Sequence, residues 1–258
     1  MTPGHQAVGT VVATGPDCGL GLADRRVGIA WIHHACGACQ WCIEGRENLC
    51  PEFRATGRDA PGGYAEFMTV SERFVHEIPA ALDDYEATPL LCAGAVGYRA
   101  LKLCHLQDGQ RLGLTGFGGS AHLVLQTARR QFPSSDVFVF ARDAAARQFA
   151  LSLGAKWAGD ASDRSPEKLH AIIDTTPAWK PVVEGLARLR PGGRLVINAI
   201  RKEDRDRKYL ERLRYEEHLW MEREIKTVAN ITHRDIAEFL PIAARIPIIP
   251  EFTEFPLE

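Results

Sequence analysis

No apolar run in the chain approaches the roughly 20 residues that a membrane-spanning helix needs, so no span is expected. An excess of one charge is missing too. Lys and Arg number 31 against 33 Asp and Glu, a net charge of −2. That argues against the basic surface needed for nucleic acid or an anionic membrane. The first residues, Met1-Thr2-Pro3-Gly4-His5-Gln6, contain neither a charged leader nor an apolar core. No signal peptide is therefore expected, and the cytoplasm is the expected compartment. Internal repeats and low-complexity tracts are also absent. An ordinary balance of 45% hydrophobic and 25% charged residues over 258 positions is enough for about two globular domains.

What the chain does have is clustered cysteine. Four of its seven cysteines fall in one window, Cys36-Gly37-Ala38-Cys39-Gln40-Trp41-Cys42 and then Cys50, a C-x2-C-x2-C-x7-C spacing. In a reducing compartment such clustering points to metal before disulfide. Four thiolates on so short a segment suit one tetrahedral zinc ion of the closed, structural kind. Gly37 and Gly45 permit the tight turns the wrapping needs. An iron–sulfur cluster is the alternative, but ferredoxin spacing ends on a three-residue gap rather than seven.

Residues 1–35 read as β structure, with strands expected over 7–14 and 27–32. Residues 62–70 read as a turn into another strand. Short strands punctuated by Gly and Pro suggest a small β-barrel. From about residue 85 the pattern changes. A helical stretch over 86–103 is followed by strands at 111–115, 137–140, 171–174, 195–198 and 225–229. Helices over 123–130, 143–153, 182–189 and 233–245 alternate with them, which predicts a parallel sheet covered on both faces. Residues 201–217 are densely charged with both signs and read as a solvated segment. Residues 246–250 read as extended because of their prolines.

The strand at 111–115 runs into Gly116-Phe117-Gly118-Gly119-Ser120-Ala121, a G-x-G-x-x-A loop before a helix. That is the dinucleotide fingerprint in its proper context. Gly116 allows the tight turn, and Gly118 lets a pyrophosphate approach the backbone at the helix N-terminus. The second strand ends in Ala141-Arg142-Asp143, without the acid that usually bonds the ribose of NAD. Arg142 favours the 2′-phosphate of NADP, while Asp143 keeps NAD open.

Together these motifs resemble the zinc-type alcohol dehydrogenases of the medium-chain dehydrogenase/reductase superfamily. Gly4-His5-Gln6 with Gly9, Gly15 and Cys18 is similar to that family's zinc signature, with Gln6 where Glu is usual. The four-cysteine window, Gly62-Gly63-Tyr64-Ala65-Glu66 and Pro89-Leu90-Leu91-Cys92-Ala93-Gly94 match as well. The resemblance implies an α/β chain with a GroES-like β-barrel domain over 1–90, to which 230–258 return, and a Rossmann domain over 91–229. It implies that His5 and Cys92 are two ligands of an active-site zinc. It also implies NADP or NAD as cofactor, a small alcohol or aldehyde as substrate and a possible homo-oligomer. The family's remaining active-site cysteine and its proton-relay hydroxyl lie upstream of the Gly-His-Glu segment and have no counterpart here. Two expectations follow: an oxidoreductase with a structural and a catalytic zinc, or a member truncated at both ends that has lost catalysis but keeps structural zinc, with or without nucleotide.

Overall fold

The structure, a computed structural model, describes residues 1–246 and 248–256. Backbone contacts divide it into two units, Met1–Ala95 with the segment from Asn230 on, and Val96–Ala229.

The first unit contains β1 (Ala7–Thr10), β2 (Arg26–Ile29), β3 (Ile32–His34), β4 (Arg54–Ala55) and β5 (Val75–Glu77), with α1 (Gln40–Ile43) and α2 (Asp84–Pro89). Strands β1, β2 and β5 form an antiparallel sheet in that order, and β3 pairs with β4. Ile29, Ala30 and Ile32 bury their side chains here. The first ladder is shorter than its β-branched run. Asp24, at φ 59, and Arg25 both face Val11, which accepts from the Asp24 amide at 2.9 Å and donates to the Arg25 carbonyl at 3.0 Å, so the regular ladder gives way to a bulge and β1 ends at Thr10. The strand expected over 62–70 does not form. The amides of Gly62, Gly63 and Tyr64 instead donate to the carbonyls of Thr2, Gly4 and Pro3. These groups hold the N-terminal segment rather than a ladder, and the next strand is β5.

Asp83 and Glu86 form a reciprocal capping box at the start of α2. After Pro89 the helix widens into a single π-helical turn, Leu90–Gly94, before continuing as α3 (Ala95–Cys104). Such turns recur at functional sites, and this one carries Cys92.

The second unit is a six-stranded parallel sheet. Its strands are β6 (Arg111–Thr115), β7 (Asp136–Phe140), β8 (Trp157–Gly159), β9 (Leu169–Asp174), β10 (Leu189–Ile197) and β11 (Glu224–Thr227). The order is β11-β10-β9-β6-β7-β8, so it reverses between β9 and β6. Helices α4 (Ala121–Gln131), α5 (Ala144–Ser152) and α6 (Lys180–Arg188) connect the strands. Period-two alternation assigns each strand two faces. Val137, Val139, Ala171, Ile173 and Val196 join Leu125 and Ala128 in one core. Phe138, Phe140, Ile172, Leu195 and Ile197 join Val182 and Leu186 in the other. Strand β8 went unpredicted because three residues, one of them Gly, give too little pattern.

Residues 201–217 contain short 3-10 and π turns rather than a helix. Helix α7 (His233–Arg245) returns to the first unit behind a Thr232–Asp235 capping box. A Cβ on Gly94 would stand 2.6 Å from the Phe239 ring, so only Gly lets α7 seat there. The expected extended stretch 246–250 includes Pro247, which lies outside the described residues.

Candidate metal centre and nucleotide crevice

Cys36 follows β3, Cys39 precedes α1, Cys42 lies on it, and Cys50 follows a 3-10 turn at Glu47–Leu49. Gly37 and Gly45 adopt φ of 77° and 68°, which reverses the chain on either side of α1. All four sulfurs lie within 4.8 Å of one another, with Cys36 and Cys42 Sγ 3.9 Å apart. A tetrahedron with Zn–S bonds near 2.3 Å has edges of about 3.8 Å. None of the seven cysteines is in a disulfide. Backbone N–H groups of Cys39 and Cys36 donate to the sulfurs of Cys36 and Cys50, at 3.3 and 3.4 Å. The amides of Ala38 and Cys39 draw the Cys36 thiol down to about 7. Loss of water around Cys42 pushes its thiol up to about 12. The donor set and spacing fit a structural zinc ion.

Two contacts fix this lobe. The Glu47 carboxylate accepts the His233 amide at 2.5 Å, and the Arg73 guanidinium donates to the Ala35 carbonyl at 3.5 Å.

His5 and Cys92 come together from opposite ends of the first unit, with Nε2 3.2 Å from Sγ. The close run of residues 2–5 along Gly62 and Gly63 places His5, and the π-helical turn places Cys92. Burial lowers the His5 pKa and raises the Cys92 thiol to about 11. The Trp31 ring meets His5 edge to face at 5.2 Å, and the Arg58 guanidinium covers the same ring. The pairing of the N-terminal segment with 62–64 brings His5 to Trp31. Among the described residues the four-cysteine group is the only cluster of three or more His, Cys, Asp or Glu spaced for a metal. His5 and Cys92 thus supply two donors, one short of the three that a catalytic zinc takes from protein. Cys18 is elsewhere, donating to Glu72 Oε2 at 3.1 Å.

In the second unit, β6 ends at Thr115 and Gly116 turns at φ 77°. A Cβ there would meet Thr175 Oγ1 at 2.8 Å, so this glycine is required by the fold. Gly118 and Gly119 differ. Neither has positive φ, and a Cβ on either would meet nothing within 4 Å. Phe117 packs edge to face on Phe149, and Ala121 is fully buried where α4 begins. Ser120 Oγ accepts from Asn198 Nδ2 at 3.1 Å, at the end of β10. His122 is buried with Nδ1 3.0 Å from the Gly118 carbonyl. The loop therefore stands at the carboxyl ends of the strands, beside the reversal of strand order where such sheets take their ligands.

Arg142 is exposed just past β7. The Asp143 carboxylate caps α5 by accepting the Ala145 amide at 3.1 Å. The Arg147 guanidinium donates to the carbonyls of Ala141 and Arg142, both at 2.8 Å.

One buried group went unnoticed in the sequence. Asp174, at the end of β9, is fully buried and paired with Lys202, whose side chain is 10% exposed. The available signal was an acid closing an apolar strand. Its partner lay hidden in a charged run that read as solvated.

Residues 1–80 match the alcohol dehydrogenase GroES-like domain family. Over all of its length the chain is 45% identical to the probable alcohol dehydrogenase AdhA of Mycobacterium tuberculosis, 74% of which it covers. It is 33% identical, over 79% of its length, to an alcohol dehydrogenase of Geobacillus stearothermophilus, of which it covers 62%. The solved CAD of Helicobacter pylori in complex with NADP(H) superposes with a TM-score of 0.83 at 25% identity, over 97% of this chain and 74% of that one. Fold and relatives together define a GroES-like half joined to a Rossmann half. The chain belongs to the zinc-type alcohol dehydrogenases of the medium-chain dehydrogenase/reductase superfamily. Among the described residues no helix is long and apolar enough to cross a membrane.

Proposed function

We propose that this chain is an NAD(P)-dependent oxidoreductase of small alcohols and aldehydes that holds one structural zinc on Cys36, Cys39, Cys42 and Cys50. The observation that carries the nucleotide reading is Gly118, a glycine in open space that the fold does not need. A ligand approaching the backbone there does need it. The bound nicotinamide supplies the hydride acceptor or donor for interconverting alcohol and carbonyl. The chain's own residues bind and orient it. The N-terminus of α4 offers amide donors and the positive end of a helix dipole to the pyrophosphate. Arg142 offers a cation to a 2′-phosphate. Asp143, engaged as a helix cap, leaves the ribose without its usual acid, which favours NADP.

His5 and Cys92 are the proposed protein donors at the reacting end. They number two, one short of the three protein ligands that a catalytic zinc takes. The same observation supports a second reading, a family member that keeps zinc and nucleotide but does not turn over. One experiment separates the two. The purified chain is titrated with NADPH and NADH by fluorescence, assayed with primary and secondary alcohols, and analysed for zinc. Turnover with one or more zinc ions supports the first reading. Nucleotide binding and one zinc without turnover selects the second. Failure to bind either nucleotide overturns both.

A further inference from the structure

Asp174 is the hub of the strand ends that frame the glycine loop. Its Oδ1 accepts from Thr115 Oγ1 at 2.6 Å, from the Thr176 amide at 3.2 Å and from Thr176 Oγ1 at 2.8 Å. Its Oδ2 accepts from Lys202 Nζ. Lys202 spends its other donors on the carbonyls of Thr176 and Ala178, at 2.8 and 2.9 Å. Thr115 is the residue before Gly116, and Thr175 Oγ1 donates to its carbonyl at 3.0 Å. Thr175 and Thr176 are also the residues that crowd Gly116. One buried ion pair therefore ties the end of β6, the end of β9 and the loop after β10 to the turn that opens the nucleotide crevice.

Stability alone gives no reason for a charged pair at this place, since apolar residues of similar volume commonly do as well or better. Location gives one. A fully buried carboxylate bonded to the residue before the glycine turn would repel a diphosphate across a medium that screens poorly. Lys202 cancels that charge from within the protein. Its loop is also held independently of the ammonium. The Glu203 amide donates to the Pro177 carbonyl at 2.7 Å, and the Asp206 carboxylate accepts the amides of Trp179 and Lys180 at 2.9 and 2.7 Å.

We propose that Asp174 and Lys202 are a positioning pair for the nucleotide: Asp174 fixes Thr115, Thr176 and through them the Gly116 turn, while Lys202 neutralises the carboxylate beside the diphosphate subsite. The proposal rests on the nucleotide-binding reading given above.

The two charges have opposite expected effects. Lys202→Met leaves a buried anion uncompensated and lowers NADPH affinity about tenfold or more. Asp174→Asn is nearly isosteric and leaves a cation, so NADPH affinity holds or rises. The double variant is neutral again and returns to within about threefold of wild type. A pair with only a structural role would instead weaken binding alike in both single variants, in step with loss of stability.

The test is a fluorescence titration of the full chain with NADPH, with the urea midpoint of each variant measured alongside. The expected result is a loss in Lys202→Met that the second substitution reverses. Wild-type affinity in a folded Lys202→Met overturns the proposal, as does equal weakening in both single variants. Should Lys202→Met fail to fold, Lys202→Gln, which keeps a donor toward Asp174 without the charge, takes its place: a loss of NADPH affinity upholds the proposal, and wild-type affinity overturns it. No NADPH binding by the wild-type chain overturns the nucleotide reading itself, a failure distinct from that of the pair.

Discussion

His76 and His233 stack with ring centroids 4.5 Å apart and planes 26° from parallel. His76 lies on β5 and is 6% exposed, and His233 opens α7. Burial, with the facing His233 second, pushes His76 from 6.5 down to about 3, and burial lowers His233 as well. A depressed histidine means that the folded state holds the neutral ring. Above about pH 6.5 neither state binds the proton and stability is full. Between about 6.5 and 3 the unfolded ring takes a proton that the folded one refuses. Stability should fall with pH through that window by up to about 1.4 kcal/mol per unit from this residue. Urea unfolding at pH 7.5, 6 and 5 measures the slope, and His76→Gln should flatten it. An unchanged slope in that variant would assign the acid sensitivity elsewhere.

The cysteine lobe makes a prediction about metal. Purified protein should carry one tightly held zinc per chain, released by strong chelators or by acid. A four-thiolate site can contribute on the order of 10 kcal/mol of folding free energy. Cys39→Ser or Cys50→Ser should therefore lose the ion and open residues 36–50 to protease. Elemental analysis with limited proteolysis checks both points. Resistance to cleavage in a zinc-free variant would show that the lobe stands on its apolar contacts, such as Phe74 and Ile32.

Two glycines of one loop should behave oppositely. Gly116 turns at φ 77° against Thr175 and Thr176, so Gly116→Ala should cost roughly 1–3 kcal/mol of stability. Gly118→Ala meets nothing in the fold and should leave the stability measured by urea unfolding within about 0.5 kcal/mol of wild type. Its NADPH affinity should nevertheless drop about tenfold, because the methyl occupies space that the pyrophosphate requires. Retained affinity in Gly118→Ala would remove the loop from the binding site.

Gly62 lies under the N-terminal segment so closely that a Cβ would fall 2.0 Å from the Gly4 carbonyl oxygen. Both groups are backbone, so the segment must move to accept a side chain. Gly62→Ala should cost roughly 1–3 kcal/mol and draw His5 away from Cys92. Cys92 should then react faster with a thiol reagent. A thiol still as slow as in the wild type would mean that Gly62 does not place His5.

Local pattern alone determined a good deal of this protein. The alternation of 137–140 and 171–174 specified strands covered on both faces, because successive side chains must point opposite ways. The C-x2-C-x2-C-x7-C spacing specified the sulfur cluster, because so few intervening residues leave four thiols no room to separate. The glycine loop announced itself by its place between a strand and a helix. The fold decided what depends on distant segments. Residues 62–70 look like a strand, yet the amides of 62–64 are taken by the carbonyls of residues 2–4, and no local rule knows which carbonyls will arrive. His5 and Cys92 meet only because that pairing and a π-helical turn aim them at one point. Asp174 and Lys202 read as a strand end and a solvated charge, and became a buried pair when parallel strands brought their loops side by side. Periodicity and spacing are properties of neighbours in sequence, whereas a site assembled across 28 or 87 residues exists only once the chain has closed on itself.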